Sequence, residues 1–373
     1  MNTRKNFRPV VALLTLVAML LAACGPAATQ PPAKPAAAKL KIAFVYVASV
    51  GDMGWTWAHD QGRLMVEKEL AGQVETTYIE NIPEGPEAER VIRDFAQKGY
   101  KLIITTSFGF MDPTVAVAKD FPNVWFVHVS GYKTGANLST VFGKIEEPRF
   151  VSGLIAGKMT KSNKLGYVAA FPIPEVVRGL NAFTLGVRKA NPNATVKVVW
   201  TSTWFDPVKE KEAAVALLAD GCDVIAQHQD TPEPPKAAEA KGAFAVGYDS
   251  DMSKQAPKAV LTSPIWNWGI KYVEIAQAIQ AGTYKTESYW GGWKDGVVDL
   301  APYGPMVPDD VKKMADAEKE KFKKGESTIF TVFTGPLKDN AGKERVPAGK
   351  AMTAEELLNM NWLVEGVLGT ITQ

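Results

Sequence analysis

Aromatic residues recur beside aspartates at the points in this sequence where runs of apolar residues end. Aromatic faces stack on planar rings, and a stacked base contributes about 1–3 kcal/mol to binding. Ionised carboxylates accept charge-assisted hydrogen bonds from N–H groups or sugar hydroxyls. If these segments meet in one cleft, they form a site for a planar ligand that donates hydrogen bonds. The candidate binding residues are Asp52, Trp55, Trp57, Phe108, Asp112, Trp204, Asp249 and Trp266.

Some of the aspartates have a purely structural alternative. Asp112 and Asp206 each precede a proline at the expected start of a helix, where aspartate commonly serves as the N-cap. For Asp206 we favour the cap, and for Asp112 both interpretations stand. The tryptophans Trp55, Trp57 and Trp204 favour a ligand contact, because α/β proteins bind ligands at the carboxyl ends of strands. Of the first two, we expect Trp57 to stack on the ligand.

Residues for catalysis or metal binding form no recognisable pattern. The three histidines, His59, His128 and His228, lack metal-ligand spacing, and the two cysteines form no cluster. The Gly-x-Ser-x-Gly motif of α/β hydrolases does not occur. The run Gly153-Leu-Ile-Ala-Gly-Lys-Met-Thr has one residue too few between its glycines for a phosphate-binding loop. The sequence therefore predicts a binding protein that is not an enzyme and needs no metal or cofactor.

The elements that must position the candidate residues alternate between strand and helix. The expected strands of the first part are Leu40–Val47, Val74–Ile79, Leu102–Thr106 and Val124–Val129. Helical spacing of apolar residues lies between them, over residues 85–98 and 113–119. This alternation predicts an α/β protein whose parallel sheet is covered by helices on both faces.

The pattern then begins a second time. Lys41-Ile-Ala-Phe-Val-Tyr is matched by Lys164-Leu-Gly-Tyr-Val-Ala, and Phe95-Ala-Gln-Lys-Gly-Tyr by Leu217-Leu-Ala-Asp-Gly-Cys, at nearly equal offsets. Blocks that repeat in one register predict two similar lobes. We expect lobe 1 over residues 40–160 and lobe 2 over 161–284. Residues 285–373 are expected to return to lobe 1 and to the hinge.

The first residues have the features of a lipoprotein leader. A basic start is followed by an apolar run over 10–21 and by Leu21-Ala-Ala-Cys, which places small residues before a cysteine. The run is shorter than the about 20 residues of a spanning helix. We expect residues 1–23 to be a signal peptide and Cys24 to carry lipid. Residues 24–39, rich in Pro and Ala, are then a flexible tether, and the protein is held to a membrane of the cell envelope, outside the cytoplasm.

The charge balance argues against nucleic acid as a partner. The formal net charge is +2, and three of the basic residues, Arg4, Lys5 and Arg8, lie in the expected leader. The rest of the chain is therefore close to neutral and has no basic field. We expect a monomer that binds a small molecule.

Several motifs together resemble the basic membrane protein (BMP) family of solute-binding lipoproteins of ABC importers. They are Gly51-Asp-Met-Gly-Trp-Thr-Trp, Ser107-Phe-Gly-Phe-Met-Asp, Trp204-Phe-Asp-Pro-Val-Lys-Glu-Lys-Glu, Gly247-Tyr-Asp-Ser-Asp and Phe333-Thr-Gly-Pro-Leu. The resemblance implies a type I periplasmic-binding-protein fold, in which two Rossmann-like lobes joined by a hinge close on a purine nucleoside. It implies that an ABC permease in the membrane receives the ligand. It also implies aromatic clamps at Trp57, Trp55 and Trp204, with acidic contacts at Asp52, Asp112 and Asp249.

One departure from the family pattern bears on the ligand. Nucleoside-binding relatives usually have a lysine shortly after the Leu-Thr-Ser segment, whereas Leu261-Thr-Ser-Pro-Ile is followed here by Trp266. An indole in place of this donor resembles the branch of the family that binds a free purine base. The expected ligand is therefore adenine first and a purine nucleoside second. A surface enzyme that hydrolyses nucleosides and a sensor that presents the ligand to a signalling partner remain as alternatives.

Overall fold

The computed structural model describes residues 38–371, and all structural statements below concern that part of the chain. The strands are β1 (Leu40–Val45), β2 (Val74–Ile79), β3 (Leu102–Thr105), β4 (Trp125–Val129), β5 (Leu138–Gly143), β6 (Lys164–Ala169), β7 (Thr195–Trp200), β8 (Val224–His228), β9 (Phe244–Val246), β10 (Val260–Thr262), β11 (Pro264–Trp266), β12 (Ser288–Gly291), β13 (Val298–Leu300), β14 (Leu337–Lys338), β15 (Glu344–Val346) and β16 (Val367–Leu368). The helices are α1 (Trp55–Glu69), α2 (Pro86–Gln97), α3 (Met111–Asp120), α4 (Glu146–Met159), α5 (Pro174–Ala190), α6 (Pro207–Ala219), α7 (Glu233–Ala240), α8 (Trp268–Gln280), α9 (Asp309–Lys324), α10 (Ile329–Val332) and α11 (Ala354–Leu358).

Two parallel six-stranded sheets organise the molecule. The first has the order β12-β5-β4-β3-β1-β2 and defines lobe 1, and the second has the order β10-β9-β8-β6-β7-β16 and defines lobe 2. Strand β3 is buried at every position and β1 at all but one, which explains their nearly continuous apolar sequences. The α/β class and the two-lobed fold predicted from the sequence are confirmed.

The internal repeat is visible in the order of the strands. In lobe 1, β1 lies between β2 and β3, and in lobe 2, β6 lies between β7 and β8. All four pairs are parallel. Parallel neighbours place the carboxyl ends of their strands at one edge of the sheet, so each lobe presents one edge built from loops that follow strands.

The chain after residue 285 contributes an edge strand to each sheet. Strand β12 pairs with β5 in lobe 1, and β16 pairs with β7 in lobe 2. The antiparallel pair β11 and β13 lies outside both sheets. The chain therefore passes from one sheet to the other three times: after β5, after β10 and after β12.

Helix α8 packs differently from our expectation, which assigned residues up to 284 to lobe 2. It lies against α1 of lobe 1, where a Cβ on Gly62 would come within 3.0 Å of the Tyr272 ring. The Tyr272 ring also packs 5.6 Å from that of Phe44 in β1. The apolar face of α8 is thus buried by the first sheet, a long-range partner that helical periodicity alone does not reveal.

The glycines of the run that approaches a phosphate-binding motif have a packing role. Both lie in α4, and a Cβ on Gly153 would come within 2.2 Å of the carbonyl oxygen of Phe183 in α5. A Cβ on Gly157 would come within 2.5 Å of the carbonyl oxygen of Val187. The missing side chains let the two helices approach closely. Within residues 38–371, no helix is both long enough and apolar enough to cross a membrane.

Candidate functional site

A cavity with about 370 Å³ of empty space lies between the two lobes. Its lining residues from lobe 1 are Val47, Trp55, Ser107, Phe108 and Ser130, and those from lobe 2 are Glu175, Trp204, His228, Asp230 and Tyr248. Most of them lie in loops that follow the carboxyl ends of strands, where ligand sites of α/β sheets form.

Three of the expected aromatic residues line this cavity. Trp55 and Phe108 come from lobe 1, and Trp204 comes from lobe 2. The Trp55 indole donates its Nε1–H to the carbonyl oxygen of Thr106 at 2.5 Å, which fixes the plane of the ring. The Trp204 ring packs edge-on against Phe171, with 5.1 Å between the ring centroids. Both lobes therefore contribute an anchored aromatic wall.

Trp57 does not line the cavity, contrary to our expectation that it stacks on the ligand. It lies two residues after Trp55 in the first turn of α1 and is half-buried against the core. Successive residues of a helix point about 100° apart, so neighbours in one turn face different surroundings. The fold thus directs Trp55 to the cavity and Trp57 away from it.

Trp266 lies behind the wall of the cavity rather than in it. Its ring stacks on Trp268 at 4.5 Å and meets Trp55 edge-on at 5.8 Å. Its Nε1–H donates to Oδ1 of Asp249 at 2.7 Å. In place of a direct ligand contact, Trp266 supports the indole of Trp55 and holds the Asp249 carboxylate.

The carboxylate of Asp52 is hydrogen-bonded to the backbone at the start of α1. Its carboxylate accepts hydrogen bonds from the backbone N–H groups of Gly54, Thr56 and Trp57, at 2.8, 2.9 and 2.9 Å. Burial raises the pKa of Asp52 to about 6, against the effect of these three donors. Asp52 therefore organises the loop that carries Trp55, and its oxygens are already engaged.

Asp112 is a surface residue, and its expected contact with a ligand is corrected here. It lies in the first turn of α3, its side chain is 73% exposed, and Lys133 pairs with it at 2.5 Å. Negative charge is favourable at a helix N-terminus, which accounts for an aspartate before Pro113. The N-cap position of α3 is Phe110, and no side chain of the described residues caps this helix, so the N-cap expected for Asp112 is also wrong.

Asp249 is buried and leaves one oxygen without a partner. Its Oδ1 accepts from Trp266, whereas Oδ2 has no hydrogen-bond partner within residues 38–371. The backbone of Asp249 has φ 65°, in the left-handed region that few non-glycine residues adopt. Met53, Ser130 and Ser202 share this conformation, each in a loop after the carboxyl end of a strand. Such strained positions concentrate at functional sites.

Asp230 is one of seven lining residues that the sequence reasoning missed; the others are Val47, Ser107, Ser130, Glu175, His228 and Tyr248. Asp230 follows β8 by two residues, and its Oδ2 is buried without a partner in the described chain. The side chains of Gln227 and Glu210 hold the loop that carries Asp230. The amide nitrogen Nε2 of Gln227 donates to the carbonyl oxygens of Gln229 and Thr231, and Glu210 accepts from the backbone N–H and the hydroxyl of Thr231. The signal that identifies Asp230 is its place after a buried strand, which it shares with Asp52 and Asp249.

Burial, and for two of them the charge of neighbouring acidic groups, raises the pKa values of the three buried aspartates near the cavity. Burial raises the pKa of Asp230, and the charges of Asp249 and Asp52 raise it further. Burial likewise raises the pKa of Asp249, against the hydrogen bond from Trp266 and the charge of Arg149. A ligand that donates hydrogen bonds to these carboxylates stabilises their charged forms.

A basic and aromatic group closes the cavity on the side of lobe 2. The Arg149 guanidinium lies 3.9 Å from the centroid of the Tyr248 ring, and its NH1 donates to the carbonyl oxygen of Gln227. The His228 ring packs 4.5 Å from that of Tyr248 and its Nε2 lies 3.2 Å from Oε1 of Glu175. Burial and the charge of Arg149 lower the pKa of His228 to about 4, so the imidazole is neutral at pH 7.

The two lobes touch at the rim of the cavity. The Ser250 hydroxyl of lobe 2 donates to the carbonyl oxygen of Met53 in lobe 1. A Cβ on Gly54 would lie 2.0 Å from the carbonyl oxygen of Asp230, so only glycine fits there. The structure is a closed arrangement in which the β1–α1 loop meets the loop that carries Asp230. In residues 38–371, no three His, Cys, Asp or Glu side chains are grouped so that they could hold a metal ion.

Comparisons with known proteins agree with this architecture. A purine-binding protein of Brucella abortus is 46% identical over 329 residues, which cover 88% of this chain and 93% of the relative. A protein of Haloferax volcanii, named provisionally as an ABC transporter glucose-binding protein, is 42% identical over 78% of this chain and 74% of its own length. The crystal structure of a solute-binding protein of an ABC transporter system from Aeropyrum pernix K1 superposes with a TM-score of 0.68 at 18% identity. It covers 80% of this chain and 93% of its own, and it supports the fold alone.

A family model also matches residues 39–331, from the start of lobe 1 to α10. Its members are PnrA-like substrate-binding proteins of ABC transporters, which bind and deliver a ligand and are not enzymes. Such proteins work outside the cytoplasm with a membrane permease. The match includes every residue that lines the cavity. The resemblance seen in the sequence is thereby confirmed, and this chain belongs to the Bmp family of ABC transporter substrate-binding proteins.

Proposed function

We propose that this chain captures a free purine base, with adenine preferred over purine nucleosides, and delivers it to the permease of an ABC importer. One observation carries the proposal: Trp55 and Phe108 of lobe 1 and Trp204 of lobe 2 line one cavity together with the unpaired carboxylate oxygen of Asp230. Aromatic walls suit a flat heterocycle, and a buried acceptor needs a donor. The purine-binding relative, 46% identical, supports the same ligand class.

Adenine matches the charge of this site. Its exocyclic amine and ring N–H are donors, and Oδ2 of Asp230, which lacks a partner in the described chain, is an acceptor in the lining. Asp249 does not line the cavity, and its buried carboxylate adds negative charge close to Asp230. A buried carboxylate that gains such a donor no longer bears its full desolvation cost. An anionic ligand such as a nucleotide brings negative charge next to these carboxylates and is therefore disfavoured.

The preference for a base over a nucleoside rests on two features. Both lobes already touch beside the cavity, where the Ser250 hydroxyl donates to the carbonyl oxygen of Met53. In addition, Trp266 stands where nucleoside-binding members usually have a lysine, and its N–H is committed to Asp249. A nucleoside lacks the N9 proton and needs space for ribose.

Glucose is the second candidate, because a relative 42% identical carries that name. Sugar hydroxyls also donate to carboxylates, and sugar rings pack on indoles. The discriminating experiment is isothermal titration calorimetry of the purified protein with adenine, adenosine, guanosine, inosine and glucose. We expect the tightest binding with adenine. Tighter binding of adenosine would contradict the preference for a base but not the purine class, whereas binding of glucose alone would replace that class.

We further propose that the protein is a monomer anchored through lipid on Cys24. Residues 1–23, Cys24 and most of the tether at 24–39 lie outside the described residues, so this proposal rests on the sequence. Expression of Cys24→Ala and fractionation of the cells test it. The wild-type protein is expected in the membrane fraction and the variant in the soluble envelope fraction. Equal partition of both forms would exclude the anchor, and light scattering of the tether-free protein measures its oligomeric state.

A further inference from the structure

A second cavity adjoins the first. It has about 1,400 Å³ of empty space including its open mouth, and it shares the wall residues Phe108, Ser130 and Glu175 with the first cavity. No other residue lines both. The two spaces are therefore neighbours across a border made by one aromatic, one hydroxyl and one acidic side chain.

The walls of the second cavity are mainly aromatic and aliphatic. Phe142, Tyr289 and Trp290 line it from lobe 1, and Ile173 and Pro174 line it from the start of α5 in lobe 2. At its mouth, Tyr132 is 66% exposed and Leu358 of α11 is 46% exposed. Exposed apolar side chains around one concavity indicate a binding surface.

The charged residues of this cavity do not favour an anionic group. Arg178 lines it, but its Nε donates to Glu146 at 2.5 Å and its NH1 donates to the carbonyl oxygen of Leu357. The guanidinium is thus neutralised by a buried carboxylate. Glu175 and Glu355 are acidic lining residues, so a phosphate meets repulsion there.

We propose that the second cavity is a subsite for an apolar substituent on the ligand, so that the protein also binds purines extended at N6 by an aryl or alkyl group, which keep the N9 proton. The base lies between the aromatic walls of the first cavity, and the substituent extends past Phe108 and Glu175 into the second. This inference rests on the proposed purine function. One wall, Leu358, lies beyond residue 331, where the family match ends, so the subsite is built partly from the C-terminal segment of this chain.

The experiment is calorimetry with adenine, N6-benzyladenine and 9-benzyladenine on three proteins: wild type, Leu358→Trp and Leu368→Trp. Leu368 is a matched control, because it is 50% exposed and does not line the cavity. We expect N6-benzyladenine to bind the wild type within about threefold of adenine or more tightly, and 9-benzyladenine, which lacks the N9 proton, to bind more weakly than either. Leu358→Trp should weaken the binding of N6-benzyladenine by about tenfold and change that of adenine by less than about twofold, while Leu368→Trp changes neither.

Each contrary outcome has its own meaning. If adenine binds and N6-benzyladenine does not, the subsite is refuted and the purine function stands. If no purine binds, both proposals fail. Should Leu358→Trp not fold, as judged by circular dichroism, Ser288→Trp replaces it, because Ser288 lines the same cavity from the edge strand β12. An undiminished affinity for N6-benzyladenine in the folded variant would also refute the subsite.

Discussion

Asp230 shows at the scale of one residue how a binding site costs stability. Its carboxylate is buried close to those of Asp249 and Asp52, and its Oδ2 has no partner in residues 38–371. An unpaired buried charge is unfavourable until a donor arrives. The site is therefore electrostatically prepared for a ligand at the expense of the ligand-free closed form.

We predict that Asp230→Asn raises the melting temperature of the ligand-free protein at pH 8, and that the gain shrinks as the pH falls toward 4. The pKa of Asp230 is raised in the folded state, so the folded protein keeps a proton that the unfolded chain has lost. The wild type therefore gains stability as the pH falls. The variant does not, because it has no carboxyl group at this position. Each kcal/mol corresponds to about 1–2 °C in a protein of this size.

Differential scanning fluorimetry from pH 4 to pH 8 measures this effect. Asp220→Asn is the control, because the Asp220 side chain is 51% exposed. A difference between Asp230→Asn and wild type that is constant over this range contradicts the account. In titrations at pH 7.5, the same variant should bind adenine more weakly.

Trp204 carries the second prediction at this scale. Trp204→Ala should lose about 1–3 kcal/mol of adenine binding, because one stacking face of the cavity is removed. Trp200→Ala is the control: Trp200 is another half-buried indole of lobe 2, and its Nε1–H donates to the carbonyl oxygen of Thr370, away from the cavity. Equal losses in both variants, measured by calorimetry, would point to a general destabilisation of lobe 2.

Among the elements, α6 shows how an aspartate near the site can serve the helix alone. Asp206 accepts hydrogen bonds from the backbone N–H groups of Val208 and Lys209, both at 3.1 Å, as an N-cap does. The cap favoured from the sequence is therefore confirmed. The backbone N–H of Asp206 in turn donates to Glu210, which also holds the loop of Asp230.

We predict that Asp206→Ala lowers the free energy of unfolding by about 0.5–2 kcal/mol, the usual cost of losing an N-cap. Urea denaturation followed by circular dichroism measures it. Glu212→Ala, an exposed position in the same helix, should change stability by less than about 0.5 kcal/mol. Because Asp206 does not line the cavity, adenine affinity should stay close to that of the wild type.

The regular elements follow from local pattern, and the remainder depends on contacts that local pattern does not encode. Apolar runs and helical spacing predicted β1, β2, β3 and α2 to within about two residues. The edge strands β12 and β16 have only four and two residues. They are strands because β12 pairs with β5 and β16 pairs with β7. Their sequences carry no signal of their own.

The same distinction holds for the site. That aromatic residues lie after strands could be predicted, and Trp55, Phe108 and Trp204 line the cavity. Whether an aspartate faces a ligand or a backbone N–H could not be predicted, because both roles use the same residue type after a strand. Asp52 accepts hydrogen bonds from the loop before α1, whereas Asp230, which also follows a strand, has an Oδ2 without a partner in residues 38–371.

On the scale of the whole molecule, closure depends on the close approach of two backbones. Gly54→Ala should leave the lobes folded but prevent their full approach, because the added Cβ meets the carbonyl oxygen of Asp230 at 2.0 Å. We predict that adenine affinity falls by more than about tenfold. Gly51→Ala is the matched control in the same loop, since its Cβ has ordinary contact with the Ser49 hydroxyl oxygen at 3.6 Å.

Small-angle X-ray scattering with saturating adenine measures the closure directly. The wild type and Gly51→Ala should become more compact when the ligand is added, and Gly54→Ala should respond less. If Gly54→Ala compacts and binds like the wild type, this contact is not part of the closed form that holds the ligand.

The three passages of the chain between the sheets determine how the molecule can be taken apart. Lobe 1 consists of residues from β1 to β5 together with β12, and lobe 2 of residues from β6 to β10 together with β16. Neither lobe is a continuous stretch of sequence, so no single cleavage releases one of them intact. Exchange of a lobe between relatives, or its expression in isolation, must therefore splice at several junctions at once. A nicked protein should remain one particle whose fragments separate only under denaturing conditions.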